Sequence, residues 1–474
     1  MQTNWIDNRS VASESKAELP VLNPATEEVL DTIPKGAEAD VAAAVEAARR
    51  ALPAWRALSP TDRKKALRGV AARLGEHKEE IARLLTLENG KPLGQAKGEV
   101  EYAVDSTLAF AELAVHLRSG VQGARAGDLV FQHREPRGVC ACIVPWNYPL
   151  AVAMENIAPA LAVGNTVVVK PSEKTPLSTR LLVERAFAEL PAGVVNVVLG
   201  DGPSAGEPLV RHPGVDVVVF VGSERTGRRL GQICGETLKK CVLELGGKDP
   251  FLVDDTVDVR AAARLAADAA YTNAGQICTS TERLYVQRGI LEPFVAALAE
   301  ESRRLRIGSG LEPTTQVGPL VDSLQLAKVE RHVADAVAQG AEVVCGGARL
   351  PQKGFFFPPT VLLEIRRDML LMREETFGPL APIIPFDDWD EAIALANDCA
   401  YGLAAIVCTT SAPRAIKAIQ ELQAGMVKIN TTRGKAPGAT SEPFKASGLG
   451  HGYGVEIMYE LTRQKSVHWR GVLA

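Results

Sequence analysis

The spacing of apolar residues changes near residue 138 and divides the chain into two parts. From about Val21 to Val130, apolar residues recur at steps of three and four, which is the period of an amphipathic helix. The segments 39–52 and 60–87 are rich in Ala, Arg and Glu and predict two helices. The first part of the chain is therefore expected to be mainly helical.

From Gly138 onward, short apolar runs alternate with helical stretches. The runs of strand length are 138–144, 166–169, 194–199 and 215–221. The helical stretches between and after them are 151–161, 176–190 and 204–212. Continuous apolar strands are typical of a sheet that is covered on both faces, so this pattern predicts βαβ units and a parallel sheet.

A second alternating block runs from about residue 251 to 426. Helices are predicted there at 260–270, 291–305 and 324–340. Two α/β domains are the simplest interpretation. The tail, 461–469, has the pattern of a single strand with nothing after it to pair with. Such a strand stays ordered when it docks on a sheet, which a neighbouring subunit could supply.

The composition is that of a globular protein and excludes several classes. Of 474 residues, 46% are hydrophobic and 23% charged, and the net charge of −4 gives no basic footprint for nucleic acid. The polar N-terminus does not resemble a leader, and no apolar run of about 18 residues predicts a membrane span. The eight cysteines contain no CxxC pair, and the seven histidines show no HxH or HxxxH spacing. We therefore expect a cytoplasmic protein without a disulfide framework or a metal site.

Three glycine- or lysine-containing motifs follow predicted strands and could bind a nucleotide. The motif 200–206 reads GxGxxxG, one residue longer than the usual dinucleotide fingerprint. The motif 222–227 opens a helix whose free N–H groups could hold a phosphate. Lys170 and Glu173 end another strand and could hold ribose hydroxyls. Each motif alone also fits an ordinary strand-to-helix turn.

Four further motifs carry candidate catalytic groups. Glu244-Leu-Gly-Gly-Lys248 places a carboxylate before two glycines, and Gly275-Gln-Ile-Cys278 places a thiol after a glycine turn. Pro145-Trp-Asn147 supplies an amide donor, and Glu374-Glu-Thr-Phe-Gly-Pro379 supplies two acids and an aromatic ring. A lone cysteine is more often an inert buried residue, and it becomes a nucleophile only beside a base and an oxyanion donor.

In their order along the chain, these motifs together resemble the aldehyde dehydrogenase superfamily. Glu244 and Cys278 are 34 residues apart, and Cys278 and Glu375 are 97 apart, which fits the pattern. The segment 397–405 also resembles a family signature. The similarity extends from about Asn4 to Trp469.

The resemblance implies an α/β fold with a Rossmann-like cofactor domain, an α/β catalytic domain and a small β oligomerisation element. Residues 1–114 and 136–246 would form the NAD-binding domain, and 247–440 the catalytic domain. Residues 115–135 and 441–474 would form the oligomerisation element. Homodimers or homotetramers are usual in the family.

The resemblance also implies the chemical roles of three residues. Cys278 would attack the aldehyde carbon and form a thiohemiacetal, while the Asn147 amide and the Cys278 N–H stabilise the alkoxide. Loss of hydride to the nicotinamide leaves a thioester, and Glu244 would activate the water that hydrolyses it. Partial burial is expected to raise the pKa of Glu244, and the positive charge of the oxidised nicotinamide is expected to lower that of Cys278.

The implied cofactor is NAD rather than NADP. A carboxylate at Glu173 accepts hydrogen bonds from both ribose hydroxyls and repels the 2′-phosphate of NADP. By resemblance, Lys170 and Glu173 lie at the adenosine ribose, and Ser172 between them also binds the cofactor. Gly202 lies at the adenine, Gly222 and Ser223 at the pyrophosphate, and Trp146, Leu245, Glu375 and Phe377 at the nicotinamide half.

Two other functions within the family stay open on the sequence. A non-catalytic relative would keep the fold and lose Cys278 or Glu244, but both are present. A coenzyme A-acylating enzyme would pass the thioester to coenzyme A, and that branch commonly lacks the base that Glu244 supplies.

The sequence departs from the family pattern at the substrate entrance. The loop Pro443-Phe-Lys-Ala-Ser-Gly448 lacks two residues of the usual motif and follows an insert-like stretch, 431–442. Relatives that oxidise succinate semialdehyde resemble one another in having two arginines where this chain has Glu155 and Thr272. An acidic wall at Glu155 favours a neutral or amino-substituted aldehyde, whereas Arg433 and Lys435 leave a carboxylate-bearing semialdehyde as the alternative. Glu155 as an ordinary solvated helix residue is a third interpretation.

Overall fold

The structure, a computed structural model, describes residues 1–122, 128–432 and 439–470. The α-helices in these ranges are Glu38–Ala57 (α1), Pro60–Glu76 (α2), Lys78–Asn89 (α3), Leu93–Leu113 (α4), Pro149–Ala162 (α5), Pro176–Phe187 (α6), Glu207–Arg211 (α7), Glu224–Glu236 (α8), Val259–Tyr271 (α9), Leu291–Arg304 (α10), Ser323–Ala338 (α11), Leu370–Arg373 (α12), Trp389–Asn397 (α13), Ala412–Glu421 (α14) and Gly454–Glu460 (α15). No helix of these ranges has both the length and the apolar character needed to cross a membrane.

Most strands belong to two large sheets. In chain order the strands are Asn4–Ile6 (β1), Arg9–Val11 (β2), Glu18–Asn23 (β3), Glu28–Pro34 (β4), Val121–Gln122 (β5), Asp128–Pro136 (β6), Val139–Ile143 (β7), Thr166–Lys170 (β8), Val195–Val197 (β9), Val217–Val221 (β10), Lys240–Glu244 (β11), Asp249–Val253 (β12), Thr281–Gln287 (β13), Glu342–Cys345 (β14), Thr360–Leu363 (β15), Leu380–Phe386 (β16), Tyr401–Gly402 (β17), Ala404–Cys408 (β18), Met426–Ile429 (β19), Phe444–Lys445 (β20), Gly448–Leu449 (β21) and Thr462–Arg470 (β22).

The first sheet has the strand order β2-β1-β9-β8-β7-β10-β11-β21. Its central strands β9, β8, β7, β10 and β11 are parallel, as the sequence predicts. Along β7, Val139 and Ala141 pack in the cluster with α1, α7 and α8, whereas Cys140 and Cys142 pack in the cluster with α2 to α6. Burial on both faces explains why these strands are continuously apolar.

The second sheet has the order β14-β15-β16-β13-β12-β18-β19. All its pairs are parallel except β14 with β15. Helices α9 and α10 cover one face, and α13 and α14 cover the other. The α/β fold with two sheets is therefore confirmed.

The C-terminal segment supplies a strand to the first sheet and another to a small three-stranded sheet. Strand β21 pairs antiparallel with β11 at the edge of the first sheet. Strand β22 then pairs antiparallel with β6 over nine residues, and β5 completes a three-stranded sheet. The predicted tail strand is confirmed, and β6 of the same chain supplies a sheet for it to dock on.

Three local predictions were wrong. The supposedly helical N-terminal part contains the antiparallel pair β3–β4, whose side chains are mostly exposed and therefore leave a weak alternating pattern. The predicted helix 60–87 is broken at His77, whose φ of −97° and ψ of 12° are not helical. The predicted helix 204–212 is a π-helical turn, Gly202–Gly206, followed by the short α7.

Candidate active site

The candidate residues of the first sheet lie close together at the carboxyl ends of its strands, because they follow strands that run parallel. Asn147 comes after β7, Lys170 ends β8, Gly222 follows β10 and Glu244 ends β11. The carboxyl ends of parallel strands lie on the same side of a sheet, which is where α/β proteins bind their ligands. The second domain brings Cys278 to this edge.

Cys278 lies half-buried in a turn between α9 and β13. The preceding residues, 273–275, all have left-handed φ values of 52°, 56° and 73°. A Cβ on Gly275 would lie 2.2 Å from the carbonyl oxygen of Gly378, so only glycine fits there. Two non-glycine residues held in this conformation imply local strain that surrounding contacts must sustain.

The buried Gln276 side chain supplies part of that support. Its amide donates to the carbonyl oxygen of Asn273 (3.0 Å), and its Oε1 accepts from the N–H of Val321 (2.9 Å). The backbone oxygen of Gln276 accepts from the Asn147 side chain, with 3.0 Å between Nδ2 and O. An amide group carries two hydrogens, so this bond fixes Asn147 against the cysteine loop and leaves its second N–H for a ligand.

A buried ion pair, which was not predicted from the sequence, fixes the backbone of Asn147. Lys91 is 1% exposed; its Nζ pairs with Glu99 and donates to the carbonyl oxygen of Asn147 (2.7 Å). The Glu99 carboxylate also accepts from the N–H groups of Leu150 (2.9 Å) and Ala151 (3.2 Å) at the start of α5. Lys and Glu in a helical pattern look like surface residues, and only the tertiary structure shows that this pair is enclosed.

Glu244 is buried at the end of β11 and contacts the C-terminal segment. Its Oε1 accepts from the backbone N–H of Gly452 at 3.1 Å. A Cβ on Gly452 would lie only 2.1 Å from that oxygen, so the glycine is required for this approach. No motif in the sequence marks Gly452 for this contact.

The buried hydroxyl of Tyr453 lies near three candidate residues of the site, namely Glu155, Glu244 and Cys278. The pKa of its hydroxyl is raised by burial and by the nearby Glu155, Glu244 and Cys278. The candidate base and the candidate nucleophile, 34 residues apart in sequence, thus lie around one buried phenol. Tyr453 was also missed, because a single aromatic residue in a helical tail is usually a core residue.

Lys170 and Glu173 are adjacent, as their spacing predicts. The Lys170 ammonium is nearly buried and lies 3.3 Å from Oε2 of Glu173, whose side chain is 40% exposed. Burial lowers the pKa of Lys170, and the charge of Glu173 opposes this shift. Ser172 shapes the turn, since its hydroxyl accepts from the N–H of Lys174 (3.3 Å). A cation and an accessible carboxylate at a strand end suit a pair of ribose hydroxyls.

The glycine turns nearby form a cradle that fits a dinucleotide. A Cβ on Gly202 would meet no heavy atom within 4 Å, so the backbone faces open space there. Ser223 caps α8 by accepting from the N–H of Thr226, and the other N–H groups of the first turn remain for an anion. A Cβ on Gly222 would lie 2.5 Å from the Phe220 ring.

The remaining cofactor candidates are Trp146, Leu245, Glu375 and Phe377. The rings of Trp146 and Phe377 pack edge to face, with centroids 5.3 Å apart. Leu245 is buried against α8, where a Cβ on Gly227 would overlap its side chain. Glu375 accepts from the N–H of Gly247 (3.1 Å), and burial raises its pKa to about 7.

A second buried ion pair fixes the loop that carries Glu375. The two Glu282 oxygens accept from the N–H groups of Thr376 and Phe377, each at 2.7 Å, and Lys248 pairs with the same carboxylate. This pairing holds Phe377 at a positive φ of 58°. The sequence analysis singled out the loop but not the pair that supports it.

The two substrate candidates lie in different surroundings. Glu155 is 6% exposed on the wholly buried α5, and its Oε1 lies 2.5 Å from the Tyr102 hydroxyl, so it is not a solvated helix residue. Thr272 donates to Asp268 at 3.1 Å, and Thr432 donates to the other oxygen of that carboxylate. Arg433 and Lys435 lie outside the described residues.

Comparisons with known proteins agree with this arrangement. The aldehyde dehydrogenase family matches residues 10–467 of the chain. Succinate-semialdehyde dehydrogenase [NADP(+)] of Escherichia coli is 41% identical over 462 residues, covering 96% of this chain and 95% of that protein. Glutarate-semialdehyde dehydrogenase of Pseudomonas aeruginosa is 40% identical over 465 residues, covering 97% and 96%. The crystal structure of betaine aldehyde dehydrogenase from Staphylococcus aureus in complex with NAD+ has a TM-score of 0.96 at 34% identity, covering 98% and 94% of the two chains.

Proposed function

Because the chain belongs to the aldehyde dehydrogenase family, we propose that it oxidises an aldehyde to a carboxylic acid through a thioester on Cys278, with NAD as its preferred acceptor. The observation that carries this proposal is the convergence of Cys278, Asn147 and Glu244 at the edge where the cofactor cradle lies. A nucleophile, an oxyanion donor and a base are the groups that the reaction needs.

In the first half of the reaction, the Cys278 thiolate attacks the aldehyde carbon. The free N–H of the Asn147 amide and the backbone N–H of Cys278 stabilise the alkoxide, each donor contributing about 3–4 kcal/mol. The contacts of Asn147 with Gln276 and Lys91 support this role, because they fix the amide before substrate arrives. NAD or NADP, when bound, supplies the acceptor for the hydride that leaves the thiohemiacetal carbon.

In the second half, Glu244 removes a proton from the water that attacks the thioester. The N–H of Gly452 donates to one oxygen of this carboxylate and so orients the carboxylate in the site. Asn147 and Cys278 stabilise the second tetrahedral intermediate with the same two donors. Its collapse expels the Cys278 thiolate and releases the acid.

The NAD preference is proposed from the Lys170–Glu173 pair. A Glu173 carboxylate beside the cofactor ribose repels a phosphate on that ribose. The relatives do not decide the matter, since the E. coli semialdehyde dehydrogenase is named for NADP(+) and the S. aureus structure holds NAD+. The cradle of Lys170, Glu173, Gly202 and Ser223 is proposed to hold the adenosine and pyrophosphate, and Trp146, Leu245, Glu375 and Phe377 the other half.

The substrate has two candidate classes. The acidic Glu155 supports the neutral or amino-substituted aldehyde expected from the sequence. The names of two relatives, succinate- and glutarate-semialdehyde dehydrogenase, support the carboxylate-bearing alternative.

We also propose that the chain forms homodimers or homotetramers through the three-stranded sheet. Val121, Leu129 and Trp469 on β5, β6 and β22 are 74%, 45% and 59% exposed. Leu129 and Trp469 are register partners, so their side chains share one face. An exposed apolar face of this kind is typical of a subunit interface.

The central test compares two variants in a rapid-mixing assay of NADH formation. Cys278→Ala is expected to abolish oxidation and keep cofactor binding. Glu244→Gln is expected to give a burst of NADH near one equivalent per site and then a slow steady rate, because acylation survives and hydrolysis does not. Undiminished turnover by Cys278→Ala would contradict the proposal, and turnover that requires coenzyme A would favour the acylating alternative.

A further inference from the structure

Lys428 is a nearly buried cation of the second sheet. It lies on β19, the edge strand of the second sheet, and is 8% exposed. Its Nζ makes no hydrogen bond or ion pair with any residue that the structure describes. A buried ammonium group without a counter-ion is costly, so such a position is expected to serve a ligand.

The strand geometry directs Lys428 toward the catalytic loop. Its neighbours Val427 and Ile429 pack against the cluster around Trp389 on one face of the sheet. Side chains alternate along a strand, so Lys428 is on the opposite face. Its register partner Ile406 belongs to the cluster on that face, which α9 covers.

The charged groups around Lys428 identify its surroundings as the mouth of the candidate site. Burial lowers the pKa of Lys428, and Asp249, Cys278 and Asp268 oppose this shift. Asp268 is the residue that binds the hydroxyls of Thr272 and Thr432. Asp268 lies in α9, which covers this face of the sheet and leads into the cysteine loop, so Lys428 is on the side of the sheet that carries the nucleophile.

Among the described residues, neither Asp249 nor Asp268 forms a hydrogen bond or an ion pair with Lys428. Burial raises the pKa of Asp249 well above its usual value, and the Oδ1 of this carboxyl accepts from the N–H of Ala404 at 3.1 Å. Asp268 is exposed and engaged by two hydroxyls. The charge of the Cys278 thiolate disappears once its sulfur bonds to the aldehyde carbon.

We propose that Lys428 binds the terminal carboxylate of a semialdehyde substrate while Cys278 holds its aldehyde carbon. This rests on the proposed aldehyde oxidation and assigns its substrate class. The lysine then supplies the positive charge that the two arginines of succinate-semialdehyde oxidising relatives would supply at Glu155 and Thr272. One ammonium group acts as a point charge on one carboxylate, and its stem lies along the sheet.

The test compares kcat/KM for aldehydes of three to five carbons that end in a carboxylate or in a methyl group. The ratio of the two constants is expected to favour the carboxylate in the wild-type enzyme. It should fall about 10–100-fold in Lys428→Met, since a charged hydrogen bond at a buried site has that effect. Lys428→Arg should retain most of the ratio. Lys417→Met is the matched control, because this lysine pairs with Asp390 and Glu421 on the surface.

A binding measurement makes the test independent of turnover. Calorimetry with Cys278→Ala should show succinate or glutarate binding that is lost when Lys428→Met, or Lys428→Gln if the methionine variant does not fold, is added. If wild-type protein oxidises no aldehyde of the panel, the proposed function fails while diacid binding still decides the role of Lys428. Equal slowing of both aldehydes by Lys428→Met would overturn the inference. So would a ratio that falls only with Arg433→Ala or Lys435→Ala.

Discussion

Replacing Gly452 by alanine perturbs the candidate base without changing any candidate catalytic residue. The new Cβ would lie 2.1 Å from Oε1, 2.4 Å from Cγ and 2.5 Å from Cδ of Glu244. Ordinary contacts begin near 3.4 Å, so the carboxylate has to move by more than about 1 Å. Gly452 does not have a left-handed φ, so alanine adds no backbone strain and the effect is steric.

The expected consequence is slow hydrolysis of the thioester. A displacement of about 1 Å at a reacting group can reduce a rate about 100-fold, which corresponds to about 2.7 kcal/mol in the barrier. Attack by Cys278 and oxidation do not use Glu244, so these steps should keep their rate. Rapid mixing of enzyme, NAD and aldehyde should then show a burst near one NADH per site and a steady rate about 100-fold below wild type. Intact mass measured during the slow phase should show an acyl group on the protein.

Gly235→Ala is the matched control, because a Cβ at this position in α8 would meet nothing within 4 Å. It should behave as the wild type does. A Gly452→Ala enzyme with an unchanged steady rate would refute the role of Glu244 or its position in the structure. Equal slowing of the burst and the steady phase would refute the claim that only hydrolysis depends on this contact.

Two further predictions concern the cofactor and the assembly. Glu173→Ser should weaken the proposed preference for NAD, because it removes the charge that repels a 2′-phosphate. The ratio of kcat/KM with NADP to kcat/KM with NAD should therefore rise. Equal kcat/KM of the unmodified enzyme with both cofactors would contradict the preference. Trp469→Glu should place a charge on the exposed face of the three-stranded sheet and shift the protein toward monomer in sedimentation velocity. Leu324→Glu is the control, because Leu324 is another exposed apolar residue. An unchanged mass of the Trp469→Glu protein would show that this sheet is not the interface.

The α/β fold was predictable because burial on both faces leaves a direct mark on the sequence. Strands such as β8 and β10 are continuous apolar runs, and the helices between them have a clear period. The family resemblance added the candidate roles of Cys278, Glu244 and Asn147. The strands β3 and β4 were not predicted, because most of their side chains are exposed or half-buried and give no clear apolar pattern. The break at His77 was not predicted either, because the helical spacing of apolar residues continues on both sides of it.

Only the tertiary structure shows which residues hold the candidate catalytic groups in place. Lys91–Glu99 and Lys248–Glu282 lie in segments whose charges look like surface charges, and burial is a property of the whole fold. Gly452 contacts Glu244 across 208 residues of sequence, and the pairing of β18 with β19 places Lys428 on the face of the second sheet that α9 covers. The sequence determined which chemical groups the chain carries near its strand ends. Which of them are enclosed, paired or left with an unmatched charge depends on contacts between distant segments, and local patterns do not record those contacts.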